Sequence, residues 1–212
     1  MKGIITADVI GSTKMDPKQR STLPELLDKL AEELQVISPL RLEMYRGDSF
    51  QVLVEDYEKA PLIAVLLRMG LMRKSIDEKQ KIDARVSVGI GSVSYLADML
   101  GKSDGEAFVL SGRAFERIGK KSLVVVTPDE SLNAELAVYV TILDELLAGV
   151  SSARSKTIFA HLMHPELTMD KLGKSLGISK QAVSQSYHST RVSILDLVLE
   201  RMEYVLANNL KK

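Results

Sequence analysis

The chain has 212 residues, 45% of them hydrophobic and 26% charged, the make-up of a globular protein of one or two domains with a proper core. It contains no cysteine and no tryptophan, which excludes disulfides, zinc–thiolate and iron–sulfur sites and thiol catalysis, and leaves little for aromatic stacking. Its 28 basic and 28 acidic side chains cancel, but unevenly: residues 1–150 carry 19 and 23, residues 151–212 carry 9 and 5 together with all three histidines, so an anionic partner is expected at the C-terminal segment.

In chain order, residues 3–10 (GIITADVI) read as a short buried strand stopped by Gly11-Ser12-Thr13. Residues 17–36 carry a helical apolar period through Leu23, Leu26, Leu27, Leu30 and Leu34, with Pro24 placed in a first turn or a kink. Residues 40–46 and 49–55 alternate apolar and polar around Gly47-Asp48, a β-hairpin pattern. A helix is expected over 59–76, a strand over 84–94, a helix over 105–119, a buried strand over 122–127 and a helix over 131–148. This βαββαβαβα order predicts an α+β fold: a ferredoxin-like antiparallel sheet covered by helices, with a domain boundary near Gly149-Val150-Ser151-Ser152. The domains are then 1–149 and 150–212. LIAVLL (Leu62–Leu67) is among the longest apolar runs, and Asp8 interrupts the apolar opening. Neither suits a membrane span or a secretory leader, so a cytoplasmic protein without membrane contact is expected.

Residues 150–212 read as a small all-α domain. Met169–Tyr187 has helix-turn-helix spacing: Leu172, Leu176, Ile178 and Val183 supply the packing positions, Gly173 the close approach, Gly177 a left-handed stop and Ser179 the cap of the second helix. Ser179, Lys180, Gln181, Ser184 and Gln185 form its exposed face, suited to base edges and phosphates in a DNA major groove, with Arg191, Lys174 and Lys171 placed along phosphates. The same spacing also serves a helical hairpin used for packing or dimerisation. Ser155–Leu162 is expected as a preceding helix, and 192–209 as a long amphipathic helix that completes the core or pairs with its copy in a homodimer. His161 and His164 sit beside Pro165 without a third ligand and read as surface or capping residues.

Two acidic residues fall at the ends of neighbouring strands, Asp8 on the first and Asp48 in the hairpin turn. Close carboxylates call for a cation, and Mg²⁺ suits one or two carboxylates plus substrate phosphates. Gly11, Ser12 and Thr13 form a small-residue loop whose N–H groups can cradle phosphate oxygens. The plain alternative is that Asp48 is a turn residue and Asp8 caps the loop.

ITADVIGST (Ile5–Thr13), RGDSFQVL (Arg46–Leu53), ARVSVGIGSV (Ala84–Val93) and SDGEAFVLSGRAFERI (Ser103–Ile118) resemble, in order and spacing, the motifs of the SatD family. Leu167–Gln185 resembles the helix-turn-helix that many members append. More remotely, the N-terminal motifs resemble class III nucleotide cyclases and GGDEF-type cyclases. That resemblance implies a cyclase-like fold, metal ligation at Asp8 and Asp48, and phosphate contacts at Gly11, Ser12, Thr13 and Arg113. The chain departs from the cyclase pattern after the Gly89-Ile90-Gly91 strand: Ser111, Arg113 and Arg117 are present where cyclases carry an Asn and an Arg one turn apart, and Met44 stands where a charged base-reading residue is expected. The expectation is a regulator coupling a nucleotide- and metal-binding domain to a DNA-binding one. The alternative is an Mg²⁺-dependent nucleotidyl-transfer enzyme whose helical domain serves dimerisation.

Overall fold

The computed structural model describes residues 1–75 and 81–210, apart from the side chains of Lys14, Gln19 and Arg46. Five strands form one sheet: β1 (Lys2–Val9), β2 (Leu40–Arg46), β3 (Ser49–Val54), β4 (Ala84–Gly91) and β5 (Leu123–Val126), in the order β2-β3-β1-β4-β5. The first four pair antiparallel in the ferredoxin-like arrangement. The expectation of an antiparallel sheet fails at the fifth, since β5 lies parallel to β4. The cause is the connection: a whole helix, α4 (Glu106–Glu116), crosses over between them, and such a crossover returns the chain in the same direction. The fold is α+β.

β1 is central and buried on both faces. Ile5, Ala7 and Val9 point into the main core with Phe50, Val52, Val86 and Val88. This core is roofed by α2 (Leu23–Leu34), α3 (Ala60–Met72) and α5 (Glu130–Ala148). The helix expected over 17–36 divides into α1 (Pro17–Ser21) and α2, with Pro24 in the first turn of α2, where a missing N–H costs nothing. Met72 ends α3, preceded by a 3₁₀ turn at Tyr57–Lys59; the expected last residue of that helix, Ile76, lies outside the described residues. On the opposite face α4 lies against β4 and β1. A Cβ on Gly89 would stand 2.4 Å from both the Ala107 carbonyl oxygen and the Ser111 nitrogen, so the helix rests directly on glycine backbone. Ser87 Oγ donates to the Ser111 carbonyl (2.9 Å), and the Thr6 and Ser111 hydroxyls share a bond of 3.1 Å.

Four helices follow: α6 (Ser152–Met163), α7 (Met169–Leu176), α8 (Lys180–Thr190) and α9 (Val192–Asn209). Ser151, Thr168 and Ser179 cap α6, α7 and α8, each accepting a backbone N–H two or three residues into its helix. Gly177 takes the left-handed conformation that stops α7 (φ 67°). Gly173 lets the turn approach, since a Cβ there would be 2.8 Å from the Ile178 carbonyl. Ile178, expected to pack inward, is 39% exposed; Leu172 and Val183 hold the pair together instead. α6 packs on α3, and α9 packs on α5 and on the 57–59 turn. Ile158, Leu195 and Met202 therefore share one apolar core with Leu67 and Leu143. Among the described residues no helix is long and apolar enough to cross a membrane.

Candidate functional site

Where β1 ends, the chain turns through Gly11 (φ 69°) into a 3₁₀ turn at Ser12–Lys14. The β2–β3 turn uses Gly47 (φ 47°) and places Asp48 beside it, because the Val9 N–H donates to the Asp48 carbonyl at 3.0 Å. Asp8 lies across from Ser49 on β3 and from Arg85 on β4. These elements enclose a cleft of about 480 Å³ lined by Asp8, Val9, Ile10, Gly11, Ser12, Thr13, Asp48, Arg85 and the loop Gly119, Lys120, Lys121, Ser122.

Five of the six N-terminal residues singled out in the sequence thus line one site: Asp8, Asp48, Gly11, Ser12 and Thr13. Arg113 does not; it lies exposed on α4, outside the lining. Three cations of the cleft escape a reading by motif. Arg85 grips Asp8 with both arms, Nε to Oδ1 at 3.1 Å and Nη2 to Oδ2 at 2.6 Å. This bond to Asp8 raises the Arg85 pKa further above its already high value. The signal was available in the strand register, which pairs residue 8 with residue 85. Lys120 and Lys121 form a basic doublet behind Gly119 in the loop entering β5. The Ser12 hydroxyl donates to the Asp48 carboxylate. With Asp8 and Arg85 cancelling each other, the cleft sets two lysines against one carboxylate, a net attraction for anions. Among the described residues no group of three or more metal-ligating side chains occurs.

The residues expected to face DNA are exposed. Lys180, Gln181, Ser184, Gln185 and His188 line one groove of about 520 Å³ along α8. The Ser179 hydroxyl accepts from the Ala182 N–H at 3.1 Å, so it acts as a cap. Lys174 is paired with Asp170 one turn earlier (2.8 Å), and that bond lowers the Asp170 pKa. Arg191 stands at the corner between α8 and α9 with φ 53°, the only non-glycine residue with positive φ among those described.

His161 is not a surface residue. Its side chain is 11% exposed and joins three helices: Nε2 lies 3.0 Å from both Asp196 oxygens of α9, and Nδ1 shares a 2.8 Å bond with the Tyr187 hydroxyl of α8. His164 is the exposed member of the pair. Burial, and then the Asp196 charge, pushes the Tyr187 phenol from 10.0 up to about 12. The folded state therefore holds this proton more tightly than the unfolded chain. Its share of the stability is intact below pH ~10 and is lost as pH rises through ~12. Urea unfolding between pH 10 and 12 is expected to show a decline that Tyr187→Phe makes shallower.

No protein-family model and no curated protein matches the chain. Solved structures do share similarity with it. A cyclase described as adenylate/guanylate cyclase/hydrolase from Silicibacter pomeroyi is 20% identical over 58% of this chain and 73% of its own, with a TM-score of 0.44. The guanylyl cyclase Cya2 is 17% identical over 64% and 77%, with a TM-score of 0.44. The GGEEF domain of a diguanylate cyclase from Vibrio cholerae is 15% identical over 61% and 83%, with a TM-score of 0.42.

Proposed function

We propose that the cleft binds the phosphates of a nucleotide, and that residues 1–149 form a cyclase-like nucleotidyl-transfer domain. The observation that carries this reading is the convergence of Asp8, Asp48, the Gly11–Thr13 turn, Arg85, Lys120 and Lys121 on one cleft. Lysine ammonium groups are compact point charges suited to phosphate oxygens, and the turn after β1 offers backbone N–H groups beside them. The sequence resemblance of this region to nucleotide cyclases supports a nucleotide rather than a simple phosphate.

Mg²⁺, the cofactor this reading implies, would be held chiefly by Asp48, with Asp8 sharing its oxygens between the ion and Arg85. The donors are hard carboxylate oxygens in a single cleft, the kind Mg²⁺ uses alongside substrate phosphates. When bound, the ion supplies charge neutralisation at those phosphates. The chain's own groups do the rest. Arg85 already neutralises Asp8 and fixes its plane, which leaves Asp48 as the carboxylate with most charge to offer. Ser12 orients Asp48, and Lys120 and Lys121 take phosphate charge from the other lip.

A second reading concerns residues 150–212, as a helix-turn-helix module touching DNA through α8. What supports it is the common groove of Lys180, Gln181, Ser184, Gln185 and His188; Arg191 and Lys174, both exposed, would contact phosphates. The competing use of that module is homodimerisation.

Calorimetric titration of the full chain tests both. A nucleoside triphosphate with Mg²⁺ should bind, and Lys120→Ala/Lys121→Ala should weaken it at least tenfold with little change in stability, because both side chains are exposed. Release of pyrophosphate distinguishes a transferase from a binding domain. Absence of triphosphate binding, or equal affinity in the double variant, sinks the cleft reading. The same titration with duplex DNA should give affinity that falls steeply with salt; no binding at low salt sinks the second reading.

A further inference from the structure

Arg68 lies in the middle of α3, remote in sequence from both lips of the cleft, and is 2% exposed. Its guanidinium joins two carboxylates on different elements. Nε and Nη2 donate to Asp83 Oδ1 and Oδ2 at 3.1 and 3.0 Å, and Nη1 donates to Asp144 Oδ1 at 3.3 Å. Each carboxylate residue then reaches one lip. The Asp83 carbonyl, immediately before β4, accepts the Ile10 N–H at 2.8 Å. Asp144 Oδ2, on α5, accepts the Ser122 N–H at 3.0 Å. Ile10 and Ser122 both line the cleft, one on the turn after β1 and one beside the lysine doublet.

We propose that Arg68 is the positioning residue of the cleft: through Asp83 and Asp144 it holds the two lips at a fixed separation, so that the Gly11–Thr13 turn and Lys120-Lys121 present one preformed phosphate site. The part concerning ligand rests on the phosphate-binding reading above. The part concerning the lips does not. A planar guanidinium suits this task because its donors are spread in a rigid fork that serves two carboxylates at once, whereas an ammonium satisfies one at a time. The fork is buried, so water does not compete for it, and holding the lips before ligand arrives removes an ordering cost at binding.

Amide hydrogen exchange on the full-length protein tests the clamp without any ligand. In Arg68→Lys, which keeps the charge and loses the fork, exchange at Ser122 and Ile10 should accelerate at least tenfold while Val52 in β3 changes less than threefold. If Arg68→Lys does not fold, Asp144→Asn provides the same readout at Ser122. Uniform acceleration at all three amides, or none at Ser122, overturns the clamp. Tripolyphosphate with Mg²⁺ is the binding probe, and Arg68→Lys should bind it at least fivefold more weakly. Local loosening with undiminished binding overturns the positioning role. If the wild-type protein itself does not bind tripolyphosphate, the phosphate-site reading falls, and the exchange data alone decide the clamp.

Discussion

Gly89→Ala is expected to cost about 3 kcal/mol or more, read as a drop in the midpoint of urea unfolding. The added Cβ would meet the Ala107 carbonyl oxygen and the Ser111 nitrogen at 2.4 Å and the Ser111 Cα at 3.0 Å. All three are backbone atoms, so no rotamer change relieves the clash. Either β4 bends out of the middle of the sheet or α4 lifts away. Lifting α4 breaks the Ser87–Ser111 and Thr6–Ser111 bonds and uncovers Ala107. Gly112, on the same helix, is the control. Its Cβ would meet nothing within 4 Å, so Gly112→Ala should stabilise by about 0.5–1 kcal/mol through helix propensity alone. Equal effects at the two positions would show that α4 does not sit on β4 as described.

Arg68→Ala is expected to cost about 3 kcal/mol, toward the low end of the penalty for breaking a buried ion pair, because the two carboxylates it strands are themselves only partly buried. Three donors are lost and two acids, Asp83 and Asp144, remain in the protein without their shared cation. The loss is not the net worth of the ion pairs. Replacing all three members with neutral groups, Arg68→Met with Asp83→Asn and Asp144→Asn, should recover most of the stability, because the desolvation penalty goes with the charges. Denaturant unfolding of the single and triple variants separates the two accounts. If the single variant loses less than about 1 kcal/mol, the guanidinium is not buried as described.

Much of this architecture was legible in the sequence because it rests on periodicity. α9 runs over the 192–209 expected from its apolar spacing, and the β2–β3 hairpin follows its alternation around Gly47-Asp48. The gathering of Asp8, Asp48 and Gly11–Thr13 could be anticipated from one topological assumption, that the hairpin lies beside β1, and the sheet has that order. What stayed hidden depended on partners distant in sequence. Arg85 looks like an ordinary polar residue of an alternating strand until the register sets it against Asp8. Arg68 sits in an apolar helix, where a lone arginine gives no hint of the two aspartates that hold it. The buried role of His161 is hidden for the same reason: Tyr187 and Asp196 lie 26 and 35 residues away. Ile178 followed an apolar pattern, but the turn that carries it leaves it partly in solvent.

The central place of β1 in the sheet bears on how the chain folds. The β2–β3 hairpin closes across a two-residue turn, so its contacts are local and cheap to form. β1 has no such neighbour. Its ladders run to Val54 from Gly3 and to Gly91 from Lys2, and each requires closing a long loop before any pairing energy is returned. The middle strand is therefore laid between partners that must already be close together. On this topology the sheet is expected to form from the hairpin inward, with the non-local capture of β1 as the slow step. Stopped-flow folding of Gly47→Ala and Ala7→Gly variants checks it: the first is expected to slow folding with unfolding little changed, the second to change both rates.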